Sequence, residues 1–438
     1  MHSATHQAIS AVWRIESAKI VAVVARMVRD LGLAEELAQD ALVSALESWP
    51  VKGVPDKPGA WLMTTAKNRA LDHLRRAKMQ GDKFEQIGHD LEAQEALVVP
   101  DFVDALDLAR QDEIGDDLLR LIFTACHPVL STEARVVLTL KLLGGLSTHE
   151  IARAFLLPEP TIAQRIVRAK RTLAEARVPF EMPRGSELRA RLVSVLEVVY
   201  LVFNEGYTAT AGEDWMRPAL TDEALRLGRI LAELAPQESE VQGLLALMEL
   251  QASRSAARVD GQGRPVLLMA QDRGRWDRLL IRRGLEALER ARELGDAQAQ
   301  TLDSYALQAS IAACHARAVT ADQTDWPGIA ALYDALAQVA PSPVVELNRG
   351  VAVAMAFGPA AGLKIIDALA QQKSLRNYHW LPSVRGDLLD KLGRGDEARV
   401  EFERAAALAS NRRERELLLN RALATGGPGA GASAGDAP

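Results

Sequence analysis

The sequence has few of the residues that form covalent cross-links or metal sites, and no long apolar run. Its 438 residues include two cysteines, Cys126 and Cys314, each followed by histidine, so no CxxC pair or finger spacing occurs. We expect no metal site, no cofactor and thiols kept reduced. Neither a basic leader before an apolar stretch nor 18 consecutive apolar residues is present. These absences predict a cytoplasmic protein without a membrane-spanning segment.

Aromatic residues are also scarce, at 5% of the chain, and runs of β-branched residues are short. Alanine and leucine dominate instead, and the chain is 48% hydrophobic and 25% charged, as is typical of globular proteins. This composition favours helix over strand. We therefore expect an all-α protein, divided into two to four domains of roughly 100 to 200 residues each.

Basic charge is distributed unevenly along the chain, whose net charge is −6. Residues 1–178 contain 22 Lys+Arg and 24 Asp+Glu, a net charge of −2. Within them, residues 82–117 contain 12 acids and 2 bases, a net charge of −10, so the rest of this half has a net charge of +8. Because phosphates respond to charge within roughly 10 Å, this distribution permits nucleic-acid binding.

A pair of short helices joined by a tight turn is predicted between residues 147 and 176. Ser147 and Glu150 have the spacing of a capping box at the start of the first helix, which is predicted over residues 148–155. Pro158 belongs to the turn, and Pro160 begins a second helix. This order is the signature of a helix-turn-helix.

The second helix of this motif is basic and predicts a surface that reads DNA. Three side chains near its start are predicted to reach base edges in the major groove: Thr161, Gln164 and Arg165. Three cations further along are predicted to contact phosphates: Arg168, Lys170 and Arg171. A solvated cationic face is the alternative for a lone basic helix. The capped helix and the proline turn before it favour DNA.

The first 80 residues are predicted to form three or four helices. In one of them apolar residues recur at steps of three and four from Leu33 to Trp49, and Pro50 is predicted to end it. After a proline-rich loop, Pro58 begins an amphipathic helix with a basic face, which includes Trp61. Such a helix alone is compatible with DNA, a membrane surface or water.

Three segments in this order closely resemble the extracytoplasmic-function sigma factors. AEELAQDALVSALESW (34–49) resembles their core-polymerase-binding segment, and PGAWLMTTAKNRALDHLRRAK (58–78) resembles their melting and minus-10 segment. LSTHEIARAFLLPEPTIAQRIVRAKRTL (146–173) resembles their minus-35-binding helix-turn-helix. The resemblance covers residues 8–178. It implies a transcription-initiation factor, not an enzyme, that binds promoter DNA and core RNA polymerase at the clamp coiled coil of the largest subunit and at the flap region.

The resemblance also implies roles for particular residues. Those that match the polymerase-binding positions are Leu37, Gln39 and Asp40. Those implied to line or stack on the opened minus-10 strand are Trp61, Asn68, Arg69, Asp72, His73, Arg75 and Arg76. In one place the chain departs from the family, whose recognition helix often starts with Gly-Thr-Val and Lys-Ser-Arg. Here it reads Pro160-Thr-Ile-Ala-Gln-Arg165, so the promoter sequence cannot be carried over.

The remaining 240 or so residues predict further helices with an irregular repeat. Gly358 and Gly393 each separate two apolar helices and lie 35 positions apart, close to the tetratricopeptide period of about 34. This half resembles the extension of a subgroup of the family with a tetratricopeptide-like C-terminal domain. Its matching stretches are VVYLVFNEGY, DRGRWDRLLI, LQASIAACHA and PSPVVELNRGVAVA. We expect the extension to control sigma activity and to offer a surface to an anti-sigma or signalling partner.

Six parts follow from these observations. They are sigma region 2 at 8–80, an acidic flexible linker at 81–113, sigma region 4 at 114–178, a second linker at 179–190, a helical tetratricopeptide-like domain at 191–424 and a disordered tail at 425–438.

Two polar-aromatic clusters in the C-terminal half leave an alternative open. They are Asn204, Glu205, Gly206 and Tyr207, and Asp272, Arg273 and Trp276. They could line a pocket, with Glu205 and Asp272 as an acid-base pair, or satisfy helix ends and inter-repeat contacts. No nucleophile motif, phosphate loop or metal triad accompanies them. The alternative function is a helix-turn-helix regulator with a ligand-binding or enzymatic sensor domain.

Overall fold

The computed structural model describes residues 2–81, 117–155, 157–183, 186–209, 215–297, 303–372 and 375–425. Every regular element in these ranges is an α- or 3₁₀-helix, apart from one isolated β-bridge between Val259 and Pro265. The predicted all-α class is therefore confirmed. Almost all of the predicted acidic linker and tail lie outside the described residues. Two compact units divide the chain, Met1–Val199 and Tyr200–Pro438.

Unit 1 begins with three helices, α1 (His2–Val28), α2 (Leu31–Lys52) and α3 (Pro58–Gly81). Asp30 caps α2, because its carboxylate accepts a hydrogen bond from the Leu33 N–H at 2.8 Å. Trp49 is 2% exposed and packs edge to face on Trp61, with ring centroids 5.5 Å apart. The aromatic pair holds the end of α2 against the start of α3.

The prediction that Pro50 ends α2 is wrong, since the helix continues through it to Lys52. Pro50 cannot donate the helical hydrogen bond of its position. Gly53, with a φ of 87°, ends the helix instead, and its N–H donates to the Trp49 carbonyl at 2.9 Å. Burial of the Trp49 ring and this terminal bond hold the last turn in place. The prediction that Pro58 begins the next helix is confirmed.

The second block of unit 1 contains a helical segment over 117–125 (α4), α5 (Thr132–Leu142), α6 (Thr148–Phe155) and α7 (Glu159–Glu175). The predicted capping box is confirmed. The Ser147 N–H donates to Glu150 Oε2 at 2.7 Å, and the Glu150 N–H donates to Ser147 Oγ at 3.1 Å. Helices α6 and α7, with the turn at Leu157 and Pro158, form the predicted helix-turn-helix.

The unit boundary falls inside α8 (Ser186–Tyr207), and the first half of α8 packs on the second block. Arg191 donates to the Phe123 carbonyl at 2.9 Å, and Ser194 donates to the Cys126 carbonyl at 2.7 Å. Burial raises the pKa of the Cys126 thiol to about 11. Helix α8 begins at Ser186, inside the range predicted as the second linker.

Unit 2 consists mainly of helices that each pack on the next helix in the chain. Its helices are α9 (Pro218–Leu234), α10 (Ser239–Ala252), α11 (Arg278–Ala297), α12 (Ser304–Arg317), α13 (Trp326–Val339), α14 (Pro343–Phe357), α15 (Pro359–Leu369), α16 (Trp380–Lys391), α17 (Gly395–Leu408) and α18 (Arg412–Ala424). Gly358 and Gly393 separate helices as predicted, with φ of 96° and 76°, where a side chain would be strained. Buried Asn411 donates to the Ala209 carbonyl at 3.3 Å. This bond ties the last helix to the segment before α9.

Among the residues that the structure describes, none of the helices combines the length and apolarity needed to cross a membrane.

Candidate nucleic-acid and polymerase interface

Helix α7 separates a buried face from a polar face. Its buried residues are Ile162, Ile166, Ala169 and Leu173. Five of the predicted DNA-contacting residues share another face, which we call the reading stripe, since positions three and four apart lie on one side of a helix: Thr161, Gln164, Arg165, Arg168 and Arg171. Gln164, Arg168 and Arg171 are exposed, and the other two are partly exposed. Arg171 Nε lies 2.6 Å from Glu175 Oε1 at the rim of the stripe.

Lys170, the sixth predicted DNA contact, is not on the reading stripe. At 3.6 residues per turn it lies about 200° around the helix from Arg168. Its Nζ forms an ion pair with Oε2 of Glu35, on α2. The structure therefore separates Lys170 from the residues with which the sequence grouped it.

Glu35 has a side chain that is 7% exposed, and it joins the two blocks of unit 1. Besides Lys170, Lys141 on α5 places its Nζ 3.7 Å from Glu35 Oε1. Gln39 donates to the same oxygen at 2.8 Å. We call these four residues the Glu35 cluster. It holds a buried carboxylate between two cations, which is the arrangement that makes such a charge tolerable in a protein interior.

The predicted polymerase-binding residues lie next to or within the Glu35 cluster. Leu37 is 7% exposed, so its side chain is covered in this arrangement. Gln39 is exposed at the surface but is hydrogen-bonded to Glu35. Asp40 lies nearby on α2 and is half-exposed. All three are engaged within unit 1, since Asp40 pairs with Arg69 of α3.

Helix α3 presents most of the predicted minus-10 residues to solvent. The exposed ones are Asn68, Asp72, His73, Arg75 and Arg76. Arg69 is turned towards α2, where it donates to Asp40 Oδ2 at 3.2 Å and to Ser44 Oγ at 2.7 Å. The structure thus joins Arg69 and Asp40, which the sequence assigned to different partners. Trp61 is partly exposed, because Trp49 covers one side of its ring.

The predicted cluster at the end of α8 is engaged in contacts within unit 2. Glu205 forms an ion pair with Arg217 rather than with Asp272. The Arg258 guanidinium lies 3.5 Å from the Tyr207 ring centroid and donates to Thr208 Oγ1 at 2.8 Å. Burial lowers the pKa of Arg258 to about 10. A Cβ at Gly206 would lie 2.4 Å from the Thr221 nitrogen, so the chain needs glycine there. Asn204 is exposed.

The second predicted cluster also satisfies backbone groups. Asp272 accepts from the Gly274 N–H at 2.8 Å and so caps a 3₁₀ turn. Arg273 donates to the carbonyls of His315 at 2.6 Å and Ala318 at 2.8 Å, and its guanidinium lies 4.9 Å from the ring of buried Trp276. These contacts fit the structural interpretation of both clusters. Among the described residues, no group of three His, Cys, Asp or Glu side chains is placed to hold a metal.

The Glu35 cluster is the feature that the sequence reading missed. Its signal is a carboxylate at position 35 inside the apolar stripe of α2, where Ala34, Leu37, Ala38 and Ala41 are all buried. A charged residue on an otherwise buried helix face calls for a partner of opposite charge. The partners come from helices more than 100 positions away, so spacing alone could not identify them.

Sequence profiles of known families match three segments of the chain. Residues 14–79 match sigma-70 region 2, which spans α2 and nearly all of α3. Residues 120–173 match sigma-70 region 4, which contains the helix-turn-helix and the reading stripe. Residues 191–292 match a family of unknown function, DUF6596.

Curated relatives cover either the whole chain or its first half. An uncharacterized protein of Rhizobium meliloti (strain 1021) is 43% identical over 390 residues, which are 89% of each chain. The probable ECF RNA polymerase sigma factor SigI of Mycobacterium tuberculosis is 31% identical over 175 residues, 40% of this chain and 57% of that protein. The ECF RNA polymerase sigma factor SigK of Mycobacterium ulcerans is 30% identical over 160 residues, 35% of this chain and 78% of that protein.

Together, the two sigma-70 regions, the exposed basic helix of the helix-turn-helix and these relatives define the class of protein. The chain is an extracytoplasmic-function-type sigma factor, a transcription factor of the class that brings core RNA polymerase to promoters. Within that class, it belongs to the same family as the Rhizobium meliloti protein, to which it is similar over 89% of its length.

Proposed function

We propose that this sigma factor reads the minus-35 element with the reading stripe of α7 and the opened minus-10 strand with α3, while α2 docks on core RNA polymerase. The observation that carries the proposal is the reading stripe. It is a continuous polar face of five residues on the second helix of a helix-turn-helix, with the buried residues on another face. This is the geometry by which such a helix enters the major groove.

The residues of the reading stripe are proposed to contact different parts of the DNA, according to their position along α7. Thr161, Gln164 and Arg165 lie near the N-terminus of α7, which in this motif points towards base edges. Arg168 and Arg171 lie further along and are suited to phosphates. Lys170 is paired with Glu35 in the arrangement described here, which we call the closed form of unit 1. Lys170 can contact a phosphate only after this ion pair is broken.

Helix α3 is suited to single-stranded DNA after opening. Asn68, Arg75 and Arg76 are exposed and supply an amide and two cations, and Trp61 supplies a partly exposed ring. Cations that follow the backbone and flat groups that stack on bases are the general means of holding a single strand. Arg69 positions α3 against α2 through Asp40 and Ser44.

The Glu35 cluster implies that unit 1 must open before it acts at a promoter. Two elements centred about 25 base pairs apart are separated by about 85 Å along B-DNA at about 3.4 Å per base pair. A compact body of about 200 residues is only roughly 40 Å across. The helix-turn-helix block and the α1–α3 block, which are joined at Glu35, therefore cannot reach both elements at once. Leu37 belongs to the part of α2 proposed to meet the polymerase clamp coiled coil.

Further parts of the proposal concern partners and control. The helix-turn-helix block is proposed to contact the polymerase flap region when it reads the upstream element. The C-terminal half, as a tetratricopeptide-like domain at about 191–424, is proposed to regulate the sigma regions and to receive an anti-sigma or signalling partner in the cytoplasm. Helical repeats are suited to protein contacts because they offer extended concave surfaces.

Transcription in vitro tests the proposal. Purified core polymerase with the full-length chain is expected to give promoter-specific transcripts from a genomic fragment library, with no other sigma factor present. The alternative, a helix-turn-helix regulator with a sensor domain, predicts transcripts only when another sigma factor is added. That alternative also leaves the match to sigma-70 region 2 without a role.

A further inference from the structure

Unit 2 encloses a cavity of about 340 Å³ that none of the matches to known families explains. Its walls come from α14, α16 and α18, and it is closed by the 3₁₀ turn at Leu268–Ala270 and by the side chain of Trp215. The start of α18 is held near Trp215, because Asn411 donates to the Ala209 carbonyl and the Ala209 N–H donates to the Trp215 carbonyl at 2.7 Å. The volume lies at the lower end of the range of pockets that take small organic molecules.

The wall of this cavity is rich in indole rings. Trp215, Trp326 and Trp380 line it, and none of the three is fully buried. Leu267 and Met269 line it as well, with 44% and 42% of their surface exposed. In a chain with seven tryptophans, three partly exposed rings around one cavity are a surface suited to a flat or branched apolar group. A ligand there removes apolar surface from water, which is the main source of binding energy for such groups.

One end of the cavity is polar and has more hydrogen-bond donors than acceptors. Asp387 receives Lys391 Nζ at 2.9 Å on one oxygen and the Arg421 guanidinium on the other. Burial raises the pKa of Asp387, but Lys391 and Arg421 outweigh it and hold that pKa below its usual value. The second carboxylate at this end, Glu414, lies 3.0 Å from His379 Nε2. Asp387 is therefore already paired with two cations, whereas Glu414 has an imidazole beside it that balances its charge only when protonated.

The two cations at this end retain capacity for a further acceptor. An ammonium has three N–H donors, and Lys391 uses one on Asp387 and one, at 3.9 Å, on the weak acceptor Met355 Sδ. A guanidinium has five, and Arg421 gives one to Asp387 while its plane lies 4.4 Å from the Phe402 ring centroid. A ligand cation would find Asp387 already paired with two cations. A ligand carboxylate would find charge-assisted donors.

We propose that the cavity binds a small organic acid, with its flat or branched apolar body against Trp215, Trp326 and Trp380 and its carboxylate at Lys391 and Arg421. The site lies wholly within unit 2, so its existence does not depend on the sigma activity. Bound ligand would link α14, α16 and α18, and the chain would thereby combine a promoter reader with a receptor for an organic acid.

Isothermal titration calorimetry on the full-length chain tests the site with three probes, phenylacetate, indole-3-acetate and 4-methylpentanoate. Each is paired with its neutral amide, and tryptamine serves as the cationic counterpart of the indole probe. We expect at least one carboxylate to bind and to bind at least tenfold more tightly than its amide, and we expect tryptamine not to bind. Absence of binding by all three carboxylates at millimolar concentration would overturn the proposal, as would equal binding of carboxylates and amides.

Two variants with substitutions in the wall of the cavity, and one control variant, test whether the ligand binds there. Lys391→Gln is expected to weaken carboxylate binding about tenfold and to leave amide binding unchanged. Lys364→Gln, an exposed lysine on α15 away from the cavity, is the matched control and is expected to have no effect. Trp380→Leu is expected to weaken carboxylate and amide alike, with the circular dichroism of the helices used to confirm that the variant folds. Equal affinities in Lys391→Gln, Lys364→Gln and the unmodified chain would contradict the assignment.

Discussion

The reading stripe of unit 1 and the cavity of unit 2 are opposite kinds of surface. The stripe is convex, polar and contained within 11 consecutive residues of one helix, from Thr161 to Arg171. The cavity is concave, mostly apolar and assembled from residues between Trp215 and Arg421. A duplex offers an accessible groove that a single exposed helix can enter, whereas a small molecule must be surrounded to be bound. The comparison shows why a short motif is enough to enter a groove, whereas a site that surrounds a small molecule takes several helices.

The largest effect is expected when the chain is truncated at two different positions and the stability of unit 1 is measured without unit 2. A chain that ends at Val199 keeps the half of α8 that holds Arg191 and Ser194 against the carbonyls of Phe123 and Cys126. A chain that ends at Pro183 leaves both carbonyls without these donors and is expected to lose about 3 kcal/mol of unfolding free energy. Urea unfolding of the two fragments, followed by circular dichroism, measures the difference. Equal midpoints would mean that α8 does not support unit 1.

The next largest effect is expected on DNA affinity when two cations are removed from the reading stripe. Arg165→Ala with Arg168→Ala is expected to weaken binding to an upstream promoter element by roughly 10- to 100-fold, because one base-edge contact and one phosphate contact are lost. Electrophoretic mobility shifts with duplex DNA measure it. The matched control is Arg278→Ala with Arg282→Ala on α11, which removes the same charge from exposed positions in unit 2. If both double variants bind equally, DNA recognition lies elsewhere.

A substitution in the Glu35 cluster is expected to lower the stability of unit 1 without slowing its association with core polymerase. Glu35→Gln leaves Lys141 and Lys170 without their carboxylate and is expected to lower the unfolding free energy by about 1 to 2 kcal/mol. Because the same change favours the open form, association with core polymerase is expected to be as fast as in the unmodified chain or faster. Stopped-flow fluorescence measures association. Glu36→Gln, at the exposed neighbouring position, is the control, and slower association in Glu35→Gln alone would argue against a closed form that must open.

The smallest effect concerns the pH dependence of unit 2. Burial, and then the nearby Asp303 carboxylate, raise the pKa of Glu240 from 4.5 to about 7. Since the folded-state pKa lies above the unfolded value, the stability tied to protonated Glu240 is fully present below pH 4.5 and is lost as the pH rises through 7. Glu240→Gln is therefore expected to stabilise the chain by about 1 kcal/mol at pH 8 and to have little effect at pH 4.5. Calorimetric melting at both pH values checks this, and a variant destabilised at pH 8 would refute it.

Local sequence patterns predicted most helix boundaries of unit 1, because these boundaries depend on residues close together in the sequence. The capping box at Ser147 and Glu150, the helix over 148–155 and the helix that starts at Pro58 all depend on residues within a few positions of one another. Pro50 does not end α2, contrary to the prediction, because the hydrogen bond that proline cannot make is offset by the burial of Trp49 and by the turn at Gly53. A prediction from the proline alone takes neither the burial of Trp49 nor the turn at Gly53 into account.

Features that join distant positions could not be predicted in the same way. The Glu35 cluster connects position 35 with positions 141 and 170, and the cavity collects Trp215, Trp326 and Trp380 from three segments. No fixed spacing relates such residues, since the helices between them set the distance. The clusters at Asn204–Tyr207 and Asp272–Trp276 illustrate the reverse case. Their polar and aromatic composition was compatible with a pocket or with structural contacts, and their partners within unit 2 are backbone groups, an aromatic ring and opposite charges.

Permanganate footprinting tests the central claim most directly, because it detects unpaired thymines in an opened promoter. With core polymerase, the full-length chain and no other sigma factor, we expect reactive thymines in the minus-10 region. Asn68→Ala, an exposed position on α3 with no role in the contact with α2, is expected to reduce that reactivity several-fold while recruitment to the upstream element persists. Reactivity that requires a second sigma factor, or that is unchanged in Asn68→Ala, would contradict the proposal that α3 of this chain holds the opened strand.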